Sequence, residues 1–185
     1  MASPTANVTD SFEKLALPPQ YCEARWYAAY TSANHEKRVA IHLKKRAVEH
    51  FLPLYESVRR WKDRRMKLLL PLFPGYVFVR LALRDRLQVL QVPGVAKLVG
   101  INGTPAELPQ EEMEALRASL ADGVRAVPHP YLKIGRRVRV KTGSLAGLEG
   151  IMARKKNGTR FVISLDPIMS SVAVEIDVAE LESVR

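Results

Sequence analysis

Apolar and polar positions follow different periods in the two parts of the chain. Trp26–Thr31 is short, aromatic-rich and strand-like. Val39, Leu43 and Ala47 then recur every fourth residue, with Ile41 near the edge. This predicts a helix over His35–Val48, with Asn34 as its N-cap. Phe51–Trp61 reads as extended, and Met66–Leu70 and Tyr76–Leu81 as strands. Between them, Pro71-Leu72-Phe73-Pro74-Gly75 excludes regular helix. Arg84–Gln91 reads as a short amphipathic helix, Pro93-Gly94 as a turn and Val95–Val99 as a strand. Pro109–Leu120 opens with proline and two glutamates, which suits a helix N-terminus, and Met113, Leu116 and Leu120 form its apolar stripe.

Beyond residue 130 the period is two. Val138 and Val140 alternate with Arg137, Arg139 and Lys141. Further strands fit Leu148–Lys155, Arg160–Leu165 and Val172–Asp177, and Asn157-Gly158 is a strong hairpin signal. Closely spaced short strands over this length predict a small barrel. The expected class is α+β, in four parts: a flexible tail over 1–24, a mixed α/β sandwich domain over 25–121, a linker over 122–130 and a β-barrel over 131–185.

The chain has 185 residues, 47% of them hydrophobic, which is enough for packed cores and excludes a mostly disordered chain. One cysteine, Cys22, excludes a disulfide framework and a cysteine-cluster metal site. The run Leu68–Val79 is broken by Pro71, Pro74 and Gly75 and falls short of the roughly 20 residues of a membrane span. The first 20 residues lack the apolar segment of a secretory signal. A cytoplasmic monomer that does not engage membranes is expected.

The net charge is +10 and is unevenly spread. Residues 35–67 carry +7 and residues 131–185 carry +4, while residues 68–130 are neutral. Six of the basic residues lie within Arg59–Lys67. Such foci gain affinity for nucleic acid by releasing counterions from phosphates, and they also serve as plain solvated faces. No phosphate-binding glycine loop, no GxSxG nucleophile elbow and no metal-ligand set built on His35 or His42 is present in the sequence. No catalytic residue, metal or cofactor is accordingly expected, and the chain reads as a binding protein.

Several stretches carry a resemblance. Trp26-Tyr27-Ala28-Ala29-Tyr30, Glu36-Lys37-Arg38-Val39, Pro71-Leu72-Phe73-Pro74-Gly75-Tyr76-Val77-Phe78-Val79 and Val92-Pro93-Gly94-Val95 resemble the N-terminal (NGN) domain of NusG-type transcription elongation factors. Gly135-Arg136-Arg137-Val138-Arg139-Val140, with Gly143–Gly150, is similar to that family's KOW motif.

The resemblance implies docking on the β′ clamp helices of bacterial RNA polymerase through Tyr30, Phe73, Pro74, Tyr76 and Phe78. It implies contact with non-template DNA by His42, Lys45 and Arg46, which align with contact positions of RfaH-type paralogues, and a nucleic-acid role for Arg38, which aligns with another functional arginine there. It places the run containing Arg59, Arg60, Arg64 and Arg65 near upstream DNA, where Trp61 either stacks on a base or covers the domain. The KOW barrel would engage another partner, such as a ribosomal protein, through Ile168 and Met169. Pro167-Ile168-Met169-Ser170 replaces the Phe-Gly-Arg-type loop of housekeeping members, which weighs against Rho. Asp85-Arg86-Leu87 replaces the polar gate-loop contact of RfaH. Gly147-Leu148-Glu149-Gly150 with Arg154-Lys155-Lys156 resembles UpxY-like antiterminators of long operons. The expected function is antitermination by a specialised paralogue. A housekeeping NusG acting in pausing and Rho-dependent termination, and a ribosomal or RNA-binding KOW protein, stand as alternatives.

Overall fold

The computed structural model describes residues 18–61, 64–132, 135–155 and 158–184. The elements run in the order α1 (Pro19–Cys22), β1 (Arg25–Thr31), α2 (Glu36–Lys45), β2 (Glu49–Phe51), β3 (Leu54–Trp61), β4 (Arg64–Pro71) and β5 (Tyr76–Leu81). A 3-10 turn (Leu83–Asp85) leads to α3 (Leu87–Leu90), β6 (Val95–Leu98), β7 (Gly100–Ile101), β8 (Thr104–Pro105), β9 (Glu107–Leu108) and α4 (Gln110–Ala121). The remainder is β10 (Ala126–His129), β11 (Arg136–Val140), β12 (Glu149–Lys155), β13 (Gly158–Leu165), β14 (Ser170–Glu175) and β15 (Leu181–Ser183).

The first sheet has the order β2-β5-β1-β6, with β9 also paired to β1, and every pairing is antiparallel. Side chains alternate across a strand, so Tyr27 and Ala29 of β1 face one side and Trp26 and Ala28 the other. All four are buried, because helices cover both faces. Tyr27, Ala29, Val77 and Val79 pack with Val39 and Leu43 of α2. Trp26, Ala28 and Phe78 pack with Met113 and Leu116 of α4. The predicted α/β sandwich domain is the result. Strands β3 and β4 pair only with each other and form an eight-residue antiparallel arm.

The second sheet, β10-β14-β13-β12-β11-β15, curls around Val138, Val140, Phe161, Ile163, Val172 and Val174 as the small β domain the period-two pattern predicts. Gly150 sits where strands press together: a Cβ there would lie 2.6 Å from both the Phe161 ring and the Val162 carbonyl. A continuous apolar cluster runs from Trp26, Phe73 and Phe78 through Met113 and Leu116 to Phe161 and Ile168, so the two domains share buried surface. No helix among the described residues is long and apolar enough to cross a membrane.

Four local expectations change. Asn34 does not cap α2: it sits at φ 61°, and His35 occupies the N-cap position. Ala47 does not face inward either: it adopts φ 55° beyond the helix end and is exposed. The end of the expected tail, Pro19–Cys22, is a helical turn whose Tyr21 packs against the α2-side core. The expected linker supplies β10, because Ala126–His129 pair with Ser171–Val174 and fill the sheet's open edge. Residues 1–17 of the expected tail lie outside the described residues.

Candidate functional site

The proline-bracketed bend is built from backbone outward. The Leu72 amide donates to the Pro53 carbonyl at 2.8 Å, and the Tyr76 amide donates to the Phe73 carbonyl at 3.2 Å, closing a tight turn. Gly75 holds φ +85°, a conformation open to glycine and strained for other residues. Its amide donates to Glu36 Oε1 at 2.7 Å, and its carbonyl accepts from the Thr31 amide at 2.8 Å. Tyr30 and Tyr76 are cross-strand partners with ring centroids 5.5 Å apart.

This edge presents Tyr30, which is 42% exposed, together with exposed Pro74 and half-buried Tyr76. Burial, then the neighbouring Tyr30, raises the Tyr76 phenol above its usual range. Phe73 and Phe78 are placed differently from the sequence expectation. They are 1% and 0% exposed and meet edge-to-face at 5.2 Å. Phe51 lies tilted against Phe78 with ring centroids 6.3 Å apart, and the Arg117 guanidinium of α4 lies over the Trp26 and Phe51 rings. Packing under α4 makes Phe73 and Phe78 the support of the edge rather than its surface.

Helix α2 brings Arg38, His42 and Lys45 onto one stripe, at the i, i+4, i+7 spacing. Arg38 and Lys45 are exposed and His42 is half-buried. Arg46 is engaged elsewhere. Its guanidinium donates to the Gln88 carbonyl at 3.0 Å and the Gln91 carbonyl at 3.3 Å, capping the end of α3. Sequence reasoning left out Lys37 and Lys44, exposed on the same helix, and Ile41 between them at 58% exposure. Among the described residues, Lys37, Arg38, Lys44 and Lys45 make no ion pair. It also left out Glu36, whose signal was legible: an acid three residues before Val39 on the apolar stripe.

In the arm, Arg60 pairs with Arg65 and Trp61 with Arg64 across the two strands, and Arg59 pairs with Met66. The side chains of residues 59–65 lie outside the described residues, as do those of Arg154, Lys155 and Lys156. In the β domain Ile168 is 5% exposed and belongs to the shared core, so it does not serve as the expected apolar knob in this arrangement. Met169, next to it, adopts φ 46° and is 69% exposed. The left-handed turn throws one apolar side chain outward and sends the other in.

A cleft of about 560 Å³ lies between the domains. Pro109 and Glu112 line it from one side, and Arg137, Glu149, Ser164 and Asp166 from the other. Burial, then the charge of Asp166, pushes the Glu112 carboxyl up to about 7. Asp166 accepts a hydrogen bond from the Tyr131 hydroxyl at 2.8 Å.

The chain is 27% identical over 172 residues to the transcription termination/antitermination protein NusG of Escherichia coli K12, spanning 85% of this chain and 95% of that protein. NusG of Staphylococcus carnosus is 26% identical over 174 residues, spanning 85% and 94%. Among solved structures, a Thermotoga maritima NusG described for its domain interaction superposes with a TM-score of 0.54 at 20% identity, over 89% of this chain and 99% of that one. The family model described as transcription termination factor NusG matches residues 24–117. That span takes in the helix-covered sheet, the proline-bracketed bend and the cationic helix, and the chain belongs to the NusG family of transcription factors.

Proposed function

We propose that this protein is an elongation factor that docks on the β′ clamp helices of bacterial RNA polymerase through the edge formed by Tyr30, Pro74 and Tyr76. Phe73 and Phe78 hold that edge from beneath. The observation that carries this reading is exposed Tyr30 paired with half-buried Tyr76 over a clamped glycine turn. Aromatic anchors held stiff before binding lose little entropy on docking and dominate interface energetics. The exposed cations of α2 then bear on non-template DNA and the basic β3–β4 arm on upstream DNA, and Met169 offers the β domain's apolar contact to a second partner, such as a ribosomal protein. Docking of this kind makes elongation processive on long operons, the antitermination role of a specialised paralogue. The near full-length match to NusG of two bacteria favours the housekeeping role as the second reading.

The test is retention of the full-length protein by purified bacterial RNA polymerase, wild type against Tyr76→Ala. An anchor of this kind contributes about 2–4 kcal/mol to the affinity. Retention of wild type with loss in the variant is the expected result. A folded wild-type protein that polymerase does not retain would redirect attention to RNA and the ribosome. Run-through of a Rho-dependent terminator in a purified transcription reaction separates antitermination from the housekeeping role.

A further inference from the structure

Helix α2 and the proline-bracketed bend meet at a part-buried hydrogen bond. Glu36 stands in the first turn of α2, on the same inward stripe as Val39 and Leu43, and is 5% exposed. Its Oε1 accepts the Gly75 amide at 2.7 Å, while the Gly75 carbonyl accepts the Thr31 amide at 2.8 Å. The two peptide groups of Gly75 are therefore clamped from α2 on one side and from β1 on the other. A Cβ on Gly75 would lie 3.4 Å from the Tyr30 ring, so the turn is in reach of that side chain, and Tyr76 is the next residue in the chain. Left to itself a glycine at this position samples a wide range of conformations. The turn's own closing bond, at 3.2 Å, is long for an amide–carbonyl pair.

We infer that Glu36 is a positioning residue for polymerase docking: through the Gly75 amide it holds Tyr30 and Tyr76 in a single arrangement before the partner arrives. The inference rests on the docking edge proposed above. Its physical content is preorganisation. The free protein already has the turn in its bound form, so binding does not have to order it.

The test measures equilibrium affinity of the full-length protein for purified bacterial core RNA polymerase, with urea midpoints in parallel, for wild type, Glu36→Gln, Glu36→Met, Tyr76→Ala and the Glu36→Met/Tyr76→Ala pair. Methionine removes the acceptor but fills the space it held, so the remaining cost to the fold is the unpaired Gly75 amide, and the variant stays folded. Glu36→Met is expected to lose about tenfold in affinity while its urea midpoint still reports a folded protein. Glu36→Gln keeps an acceptor oxygen and retains wild-type affinity. The double variant loses less than the product of the two single losses, because Glu36 acts in part through the Tyr76 anchor. Should Glu36→Met not fold, Glu36→Asp withdraws the acceptor by one methylene and carries the same expected loss. Wild-type affinity in the Met or Asp variant beside a weakened Tyr76→Ala overturns the positioning role and leaves the docking edge standing. Losses that simply multiply in the double variant also overturn it. Wild-type affinity in Tyr76→Ala removes the docking edge, and the role of Glu36 falls with it.

Discussion

Phe73 carries two roles that a mutation must separate. Its ring is 1% exposed and meets Phe78 edge-to-face, so truncation opens a cavity in the core under α4. Phe73→Ala is expected to destabilise the protein by about 3–5 kcal/mol, read from the urea midpoint. Weakened polymerase binding in that variant would then report a loosened turn rather than a lost contact. A midpoint within 1 kcal/mol of wild type, on the order of a surface substitution, would return Phe73 to the surface. Its identity as a key aromatic was legible from the flanking prolines. Its direction was not, because a ring beside a tight bend can point either way and only the covering helix decides.

At the scale of elements, α2 is one amphipathic helix with three jobs distributed around it. Val39 and Leu43 face the sheet, Glu36 and Arg46 tie its two ends to neighbouring segments, and Arg38 and Lys45 stand free. Arg46 sits next in sequence to Lys45 and looked equivalent to it. The difference is that its guanidinium reaches the last carbonyls of α3, where a cation also meets the negative end of the helix dipole. If Arg38 and Lys45 contact single-stranded phosphates, replacing both with alanine lowers the slope of log affinity against log salt by about 1.4, from ~0.7 per contact. Arg46→Ala leaves that slope unchanged. Anisotropy titrations on a single-stranded oligonucleotide over a salt series check both, and an unchanged slope in the double variant would make Arg38 and Lys45 plain solvated charges. The period of the helix was readable from its valines and leucines. Its termini were not, because Ala47 ends it with a left-handed backbone and no glycine marks the place.

At the scale of the whole molecule, the two domains meet where Glu112 of α4 and Asp166 of the β domain share a half-enclosed cleft. Burial and the like charge raise the Glu112 carboxyl from 4.5 to about 7 in this arrangement. When the domains separate, Glu112 returns towards its ordinary value. The joined state therefore binds more protons than the separated state between these two values, and its stability falls as pH rises through that window. Below about 4.5 the contribution is complete, and above about 7 it is gone. Hydrogen-exchange protection across Gln110–Ala121 and Asp166–Ile168, taken relative to the intrinsic exchange rate at each pH, is expected to fall between those pH values and to stay level in Glu112→Gln. A rise in protection with pH over the same window would reverse the sign and refute the assignment.

By itself the sequence determined the principal helices and strands, though not the turn at Pro19–Cys22 or the strand at Ala126–His129, and where the basic charge collects. Both follow from local period and composition: buried alternation on β11 and the four-residue spacing on α2 leave no other regular solution. It also determined the family, through a bend whose two prolines and glycine restrict the backbone to few shapes. Tertiary structure alone decided which aromatic of that bend is surface and which is core, since α4 arrives from some thirty residues away to cover Phe78 and not Tyr30. It decided that residues 126–129 join the β domain, because an open sheet edge, and not their own pattern, recruits them. It decided as well that Ile168 points in and Met169 out, through one left-handed residue. In each case the deciding interaction joins residues distant in sequence, and no local period records it.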